Sequence, residues 1–317
     1  LSQIFFASFK RHSRQTDPII RSPASMFKNN LHHIYAWLLL SPALILMGTF
    51  THIPSILTLI SSFFSTGTKK FPSKFVGIEN YEMIFDDPIF LEAVINNIWY
   101  AIATIVPSII LAILMALIVD SKLSGRVLVR MAYFTPTILP MIAVSNIWLF
   151  FYTPEIGLMD QIATNLGFNS QNWLGDKDTV LNCIILITIW KEAGFFMIFY
   201  LAALQNIPPE LKEAAFLEGS SKFYFFRRIT FPLLMPITLF VLINATLNSF
   251  KLVDHLFILT KGGPDNASNL ILYYIYETAF SFLDSSYAAT LTIFLLFALA
   301  IISIVQFMFF DKRTHYR

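Results

Sequence analysis

Lys191 and Glu192 stand side by side near the middle of residues 180–205, a stretch with no other charged residue. A charge among apolar side chains is costly to hold, and adjacent residues on a helix point about 100° apart, so the two do not form an i,i+4 pair with each other. Each needs its own partner. With Trp190 and Gly194 beside them, they offer an aromatic face and hydrogen-bonding groups that could hold a sugar or a polar phosphate; the competing reading is a structural ion pair or polar contacts to another subunit. Asn244 and Asn248 are four apart and share one helical face, followed by Ser249, Lys251 and Asp254. Carboxamides suit a hydroxyl-rich ligand because each both donates and accepts, although hydrogen bonding between helices uses the same groups. Thr137, Ser145 and Asn146 extend the polar set, with Pro136 and Pro140 loosening the helix that carries them.

The elements that must position these residues are membrane spans. Of the 317 residues, 56% are hydrophobic and 13% charged, with 33 phenylalanines and a mean hydropathy of +0.64, far more apolar than a soluble domain of this length requires. Six stretches can each cross a hydrocarbon core of about 30 Å: residues 34–60, 96–119, 129–151, 180–205, 232–250 and 286–310. The fold class expected is all-α, a polytopic membrane protein of six transmembrane helices. The first stretch stays uncharged from Ile34 to Thr68, so it tilts, kinks at Pro42 or Pro54, or projects beyond the bilayer. Residues 1–33 form a polar tail, too long and basic ahead of an uncleaved span to be a signal peptide, and Leu1 in place of an initiator methionine suggests that a few residues precede it.

Lysine and arginine set the orientation. With the N-terminus cytoplasmic, the tail (Lys10, Arg11, Arg14, Arg21, Lys28), residues 120–130 (Lys122, Arg126, Arg130), residues 206–231 (Lys212, Lys222, Arg227, Arg228) and the C-terminus (Lys312, Arg313, Arg317) place 15 cations inside, against 6 outside. The positive-inside rule therefore puts both termini and the 206–231 loop in the cytoplasm.

That loop reads as a docking element. Asn206, Pro208 and Pro209 can cap and start a helix near Pro208, with Glu210 and Glu213 near its positive end. Gly219 can stop it in the left-handed conformation, and Ser220 or Ser221 can cap a second helix. Ala214 and Ala215 leave a low-relief surface for a partner's backbone, with Glu213 as a charged anchor.

The run Glu213-Ala214-Ala215, three residues, Gly219, nine residues, then Ile229-x-x-Pro232 resembles the EAA loop of the permease subunits of binding-protein-dependent ABC importers. Phe75-Val76-Gly77-Ile78-Glu79-Asn80-Tyr81, Leu259-Thr260-Lys261-Gly262-Gly263-Pro264, Leu272 to Phe280 and Tyr287-Ala288-Ala289 are similar to stretches of the carbohydrate-type subgroup, extending the resemblance over residues 34–317. Tyr274-Ile275-Tyr276, Phe282-Leu283-Asp284 and Ala288-Ala289 look like the A-type permease of glycerol-3-phosphate importers, and maltose and trehalose permeases share most of them.

The resemblance implies a type I ABC importer permease fold in a bacterial inner membrane, coupled through Glu213, Ala214, Ala215, Gly219, Ile229 and Pro232 to an ATPase dimer. It also implies a second homologous permease, and a solute-binding protein docking on loops 65–95, 151–179 and 252–287. Thr137, Ser145, Trp190, Lys191, Glu192, Gly194, Asn244, Asn248 and Ser249 would then line the pathway of a sugar or related polyol, with glycerol-3-phosphate among the candidates.

Catalysis by the chain itself has little support. There is no G-x-x-x-x-G-K-[ST] run, so ATP and magnesium belong to the partner ATPase and no cofactor is expected here. The six histidines are scattered and Cys183 is alone within the fourth span, giving no metal-ligating cluster and no disulfide framework. Nothing suggests nucleic acid; beyond membrane lipid the partners are protein. A secondary transporter would more often show an inverted repeat and unwound helices, and Lys191 with Glu192 is too thin a set for an intramembrane enzyme.

Overall fold

The computed structural model describes the backbone of residues 23–67, 71–121 and 125–311 and the side chains of 35–67, 71–121 and 125–309. Lys122, Lys69, Lys70 and the charges of both termini, all used in the charge count, lie outside the described side chains. The chain divides into two units, residues 1–57 and 58–317. The helices are α1 (Pro23–Met47), α2 (Ile53–Ser61), α3 (Glu79–Asp86), α4 (Pro88–Asp120), α5 (Arg126–Ile138), α6 (Met141–Phe151) and α7 (Leu158–Asn165), then α8 (Lys177–Gln205), α9 (Pro209–Leu217), α10 (Lys222–Phe225), α11 (Phe231–Lys251), α12 (Asp254–Leu259), α13 (Ile271–Tyr276) and α14 (Ser285–Asp311). Among the described residues the one β feature is an isolated bridge between Phe64 and Phe75.

Among the described residues, five helical runs are long and apolar enough to cross a membrane: Tyr35–Ser61, Pro88–Asp120, Lys177–Gln205, Lys222–Leu259 and Ser285–Phe309. The sixth expected span, 129–151, is broken: Arg126–Ile138 and Met141–Phe151 meet at 101°. Proline chemistry accounts for this. Pro140 has no N–H for the Pro136 carbonyl one turn back, and it drives Leu139 to an extended conformation at φ −72°, ψ 135°. The first span answers its prolines differently, with a π turn at Gly48–His52 just ahead of Pro54.

In the 58–317 unit, α4 and α8 pack along much of their length, closing a core around Ala112, Ala116, Phe196, Met197 and Tyr200 that also takes in Leu234 and Val241 of α11. Small residues such as Ala112 and Ala116 line that contact. Against α5 the approach is closer still: a Cβ on Gly194 would sit 2.2 Å from the Tyr133 carbonyl and 3.2 Å from Thr137 Oγ1.

The outer-loop motifs are held by hydrogen bonds. Asp87 Oδ1 caps α4 by accepting from the Ile89 and Phe90 amides, while Oδ2 accepts from the hydroxyls of Tyr274 at 2.6 Å and Tyr287 at 2.7 Å. Asn80 donates to the carbonyls of Ser62 and Phe64, and Asn96 to those of Asn266 and Asn269. Lys177 pairs with Asp265 at 2.5 Å.

Candidate functional site

Polar residues of the fourth and fifth spans fall mainly into two groups on different faces of α8. Glu192, Asn248 and Ser249 line a narrow cleft with Thr104, Ser108 and Thr188. Asn248 Nδ2 donates to Glu192 Oε2 at 2.8 Å, and Tyr100 and Thr188 share a hydrogen bond of 2.8 Å nearby. Ser249 is buried; its hydroxyl bonds back to Thr246 and its carbonyl accepts from Asn97. The open space is about 10 Å³, room for roughly one water. A carbohydrate does not fit this cleft as this chain alone forms it.

Lys191 faces the other way. Its ammonium donates to the carbonyls of Pro136 at 3.0 Å, Thr137 at 3.5 Å and Leu139 at 2.6 Å, the acceptors released at the break between α5 and α6. Thr137 returns a bond to the Lys191 carbonyl, and Gly194 lies against the same helix. Trp190 packs edge-on against Trp148 with ring centroids 5.8 Å apart. Ser145 is buried and bonded to its own helix at Met141; Asn146 and Asn244 likewise donate to carbonyls one turn back. The nine pathway candidates are therefore not one cluster: Glu192, Asn248 and Ser249 are brought together, while Lys191, Thr137 and Gly194 assemble around the broken span. Thr104, Ser108, Thr188 and Tyr100 were not singled out from sequence, although a run of small hydroxyls inside the second span was a signal.

The Glu213 to Gly219 elbow forms much as its residues dictate. Pro209 starts α9 and Pro208 is its N-cap; Asn206 ends α8 instead, donating to Ala202, because the preceding helix still supplies an open carbonyl there. Gly219 takes φ +71°, with its amide bonded to Phe216 and that of Ser220 to Ala215. Of the two serines, Ser221 is the cap, accepting from the Tyr224 amide at 3.2 Å. Ala215 is buried against this chain, while Glu213 and Ala214 are exposed. Beside them Phe216 is 81% and Leu217 85% exposed, and Phe223 across the turn 72%, an exposed apolar face on the elbow. A π turn at Phe226–Thr230, containing Ile229 just ahead of Pro232, joins α10 to α11 without a break.

On the outer side Asp160, 1% exposed, organises the loop after α6. Its carboxylate accepts from Ser170 Oγ at 2.6 Å, the Gln171 and Glu155 amides, and Trp173 Nε1. The Ser170 hydroxyl foremost, with the amides, holds the carboxyl below its ordinary range.

An α-helical bundle with five apolar spans and a broken sixth, a narrow polar cleft and an exposed elbow has the make-up of a polytopic membrane protein. The chain belongs to the family of binding-protein-dependent transport system inner membrane components, whose model matches residues 106–316. It is 33% identical over 268 residues to the sulfoquinovosyl glycerol transport system permease protein SmoG of Agrobacterium fabrum, covering 84% of this chain and 87% of the relative. It is 27% identical to the sn-glycerol-3-phosphate transport system permease protein UgpA of Salmonella choleraesuis, covering 89% and 95%. A crystal structure of a bacterial ABC transporter for the acidic polysaccharide alginate contains a chain of the same fold, with a TM-score of 0.81 at 22% identity over 92% of this chain and 99% of that one.

Proposed function

We propose that this chain forms one half of the translocation pathway of an ATP-driven sugar importer and is itself non-catalytic, with ATP and magnesium bound by a separate ATPase dimer. The observation that carries this reading is the continuity from the exposed Glu213 to Gly219 elbow, through the π turn, to Asn248 in the cleft. The elbow has the relief and apolar face of a docking helix. A second permease of similar fold completes a cavity that is too small here for a solute, and a solute-binding protein delivers the solute to the outer loops. Support for a carbohydrate comes from relatives named for sulfoquinovosyl glycerol and glycerol-3-phosphate and from the hydroxyl-directed groups of the cleft. Lys191 is committed to backbone carbonyls, so on this side recognition runs through hydroxyls, and an anionic group on the solute would meet the partner permease.

The test is reconstitution in proteoliposomes with the partner permease, the ATPase and the solute-binding protein. Uptake of the binding protein's sugar should require ATP and be vanadate-sensitive. Gradient-driven uptake by this chain alone would replace the importer with a secondary transporter.

A further inference from the structure

Where α4 and α8 end and α5 begins, a cleft of about 190 Å³ opens, against the roughly 10–15 Å³ one water requires. Arg126 and Arg130 line it from α5 and Asp120 and Gln205 from the ends of α4 and α8, over a floor of Val119 and Leu201. Gln205 immediately precedes the elbow, so this is the cytoplasmic end of the bundle. Arg126 and Arg130 are four apart and share a helix face. Both are exposed, and the one ion pair among the described residues is elsewhere, between Lys177 and Asp265. Two guanidiniums are thus left at a membrane boundary with no carboxylate paired to them among those residues.

We propose that this cleft binds the phosphodiester headgroup of an anionic phospholipid of the inner leaflet. Guanidinium forks match phosphate oxygens in geometry as well as charge. Among the described lining residues, two arginines with one aspartate leave a single net positive charge, which suits a monoanionic diester better than a dianionic phosphomonoester. Gln205 can bond to headgroup hydroxyls, while the Asp120 carboxylate opposes the phosphate charge. The source is a lipid and not a soluble phosphate because the rim is apolar and open: Val127, which lines the cleft, is 65% exposed and its neighbour Leu128 71%, as befits a surface touching acyl chains. Basic clefts between helices at the cytoplasmic boundary are where such headgroups settle.

Native mass spectrometry of the assembled complex, titrated with phosphatidylglycerol or phosphatidylcholine, tests this. Phosphatidylglycerol should be retained at least about tenfold more tightly than phosphatidylcholine, and the Arg126→Gln, Arg130→Gln double variant should lose that preference. Equal retention of the two lipids, or a preference unchanged in the double variant, overturns the proposal. Competition by free glycerol phosphate at comparable concentration would make the site one for a soluble phosphate and also overturn it. Should the double variant fail to assemble, Asp120→Asn decides: removing the carboxylate should tighten phosphatidylglycerol binding, and weaker binding speaks against the site.

Discussion

Asn248 of the fifth span donates from Nδ2 to Glu192 Oε2 of the fourth across 2.8 Å, so the polar residues of the two spans meet directly. Glu192 is 9% exposed, so its carboxylate depends on that amide. Replacing Asn248 with Ala leaves an acceptor short of a partner, a loss of about 1–3 kcal/mol, and should lower solute uptake several-fold. Asn248→Asp, which sets a second carboxylate beside the first, should be worse than Ala. Uptake rates in proteoliposomes with both variants rank the two; equal rates would remove the pairing from the mechanism.

Lys191 separates a pathway role from a structural one. Its ammonium satisfies three carbonyls at the α5–α6 break, and hydrogen bonds to a charged group contribute about 1.5–3 kcal/mol each. Lys191→Gln should therefore reduce the yield and melting temperature of the assembled complex while the surviving complexes transport at close to the normal rate. Full assembly with about tenfold slower uptake of an anionic solute would instead put Lys191 in contact with that solute.

Gly194 and Gly219 should fail for different reasons. A Cβ at Gly194 meets a backbone carbonyl at 2.2 Å, so Gly194→Ala should cost about 1–3 kcal/mol by overpacking and show in thermal unfolding. A Cβ on Gly219 would meet nothing within 4 Å, but φ is +71°. Gly219→Val should leave the spans inserted yet disturb the turn and abolish uptake, whereas Gly219→Asn, tolerant of this conformation, should keep most of it. Co-purification of the ATPase with each variant distinguishes the two cases.

Asp160 gives a pH signature on the outer side. Folding lowers its carboxyl below the ordinary value of about 3.9, so its contribution to the loop is fully present above that value and is lost as pH falls through the lower, folded one. Residues 153–176 should keep their protease resistance at pH 5 and lose it only in strong acid, and Asp160→Asn should lose part of it at neutral pH. Limited proteolysis of both proteins from the outer face reads this out.

Much of the architecture was legible because period, length and proline position act locally. Six apolar stretches fix the bundle, Pro136 and Pro140 mark the weakened span, and Gly219 with Ser221 fixes the elbow. Partner choice is not local. Whether Lys191 meets a solute, a carboxylate or a carbonyl depends on which helix α8 lies against, and the consumers of its charge stand more than fifty positions away along the chain. Asp87 and Asp160 read as ordinary loop acids until the fold brings two tyrosines to one and a serine, a tryptophan and two amides to the other. Asn206 was misplaced by one helix because a cap residue between two helices can serve either.

The bend between α5 and α6 also constrains how the protein is made. In hydrocarbon an unpaired carbonyl finds no water, and the lysine that answers Pro136 and Leu139 is translated 55 and 52 residues later. Until α8 enters the bilayer, those carbonyls lack the ammonium that answers them in the folded chain. The fourth span thus completes the third, and truncation ahead of Lys191 should leave a third span that membrane quality-control proteases recognise.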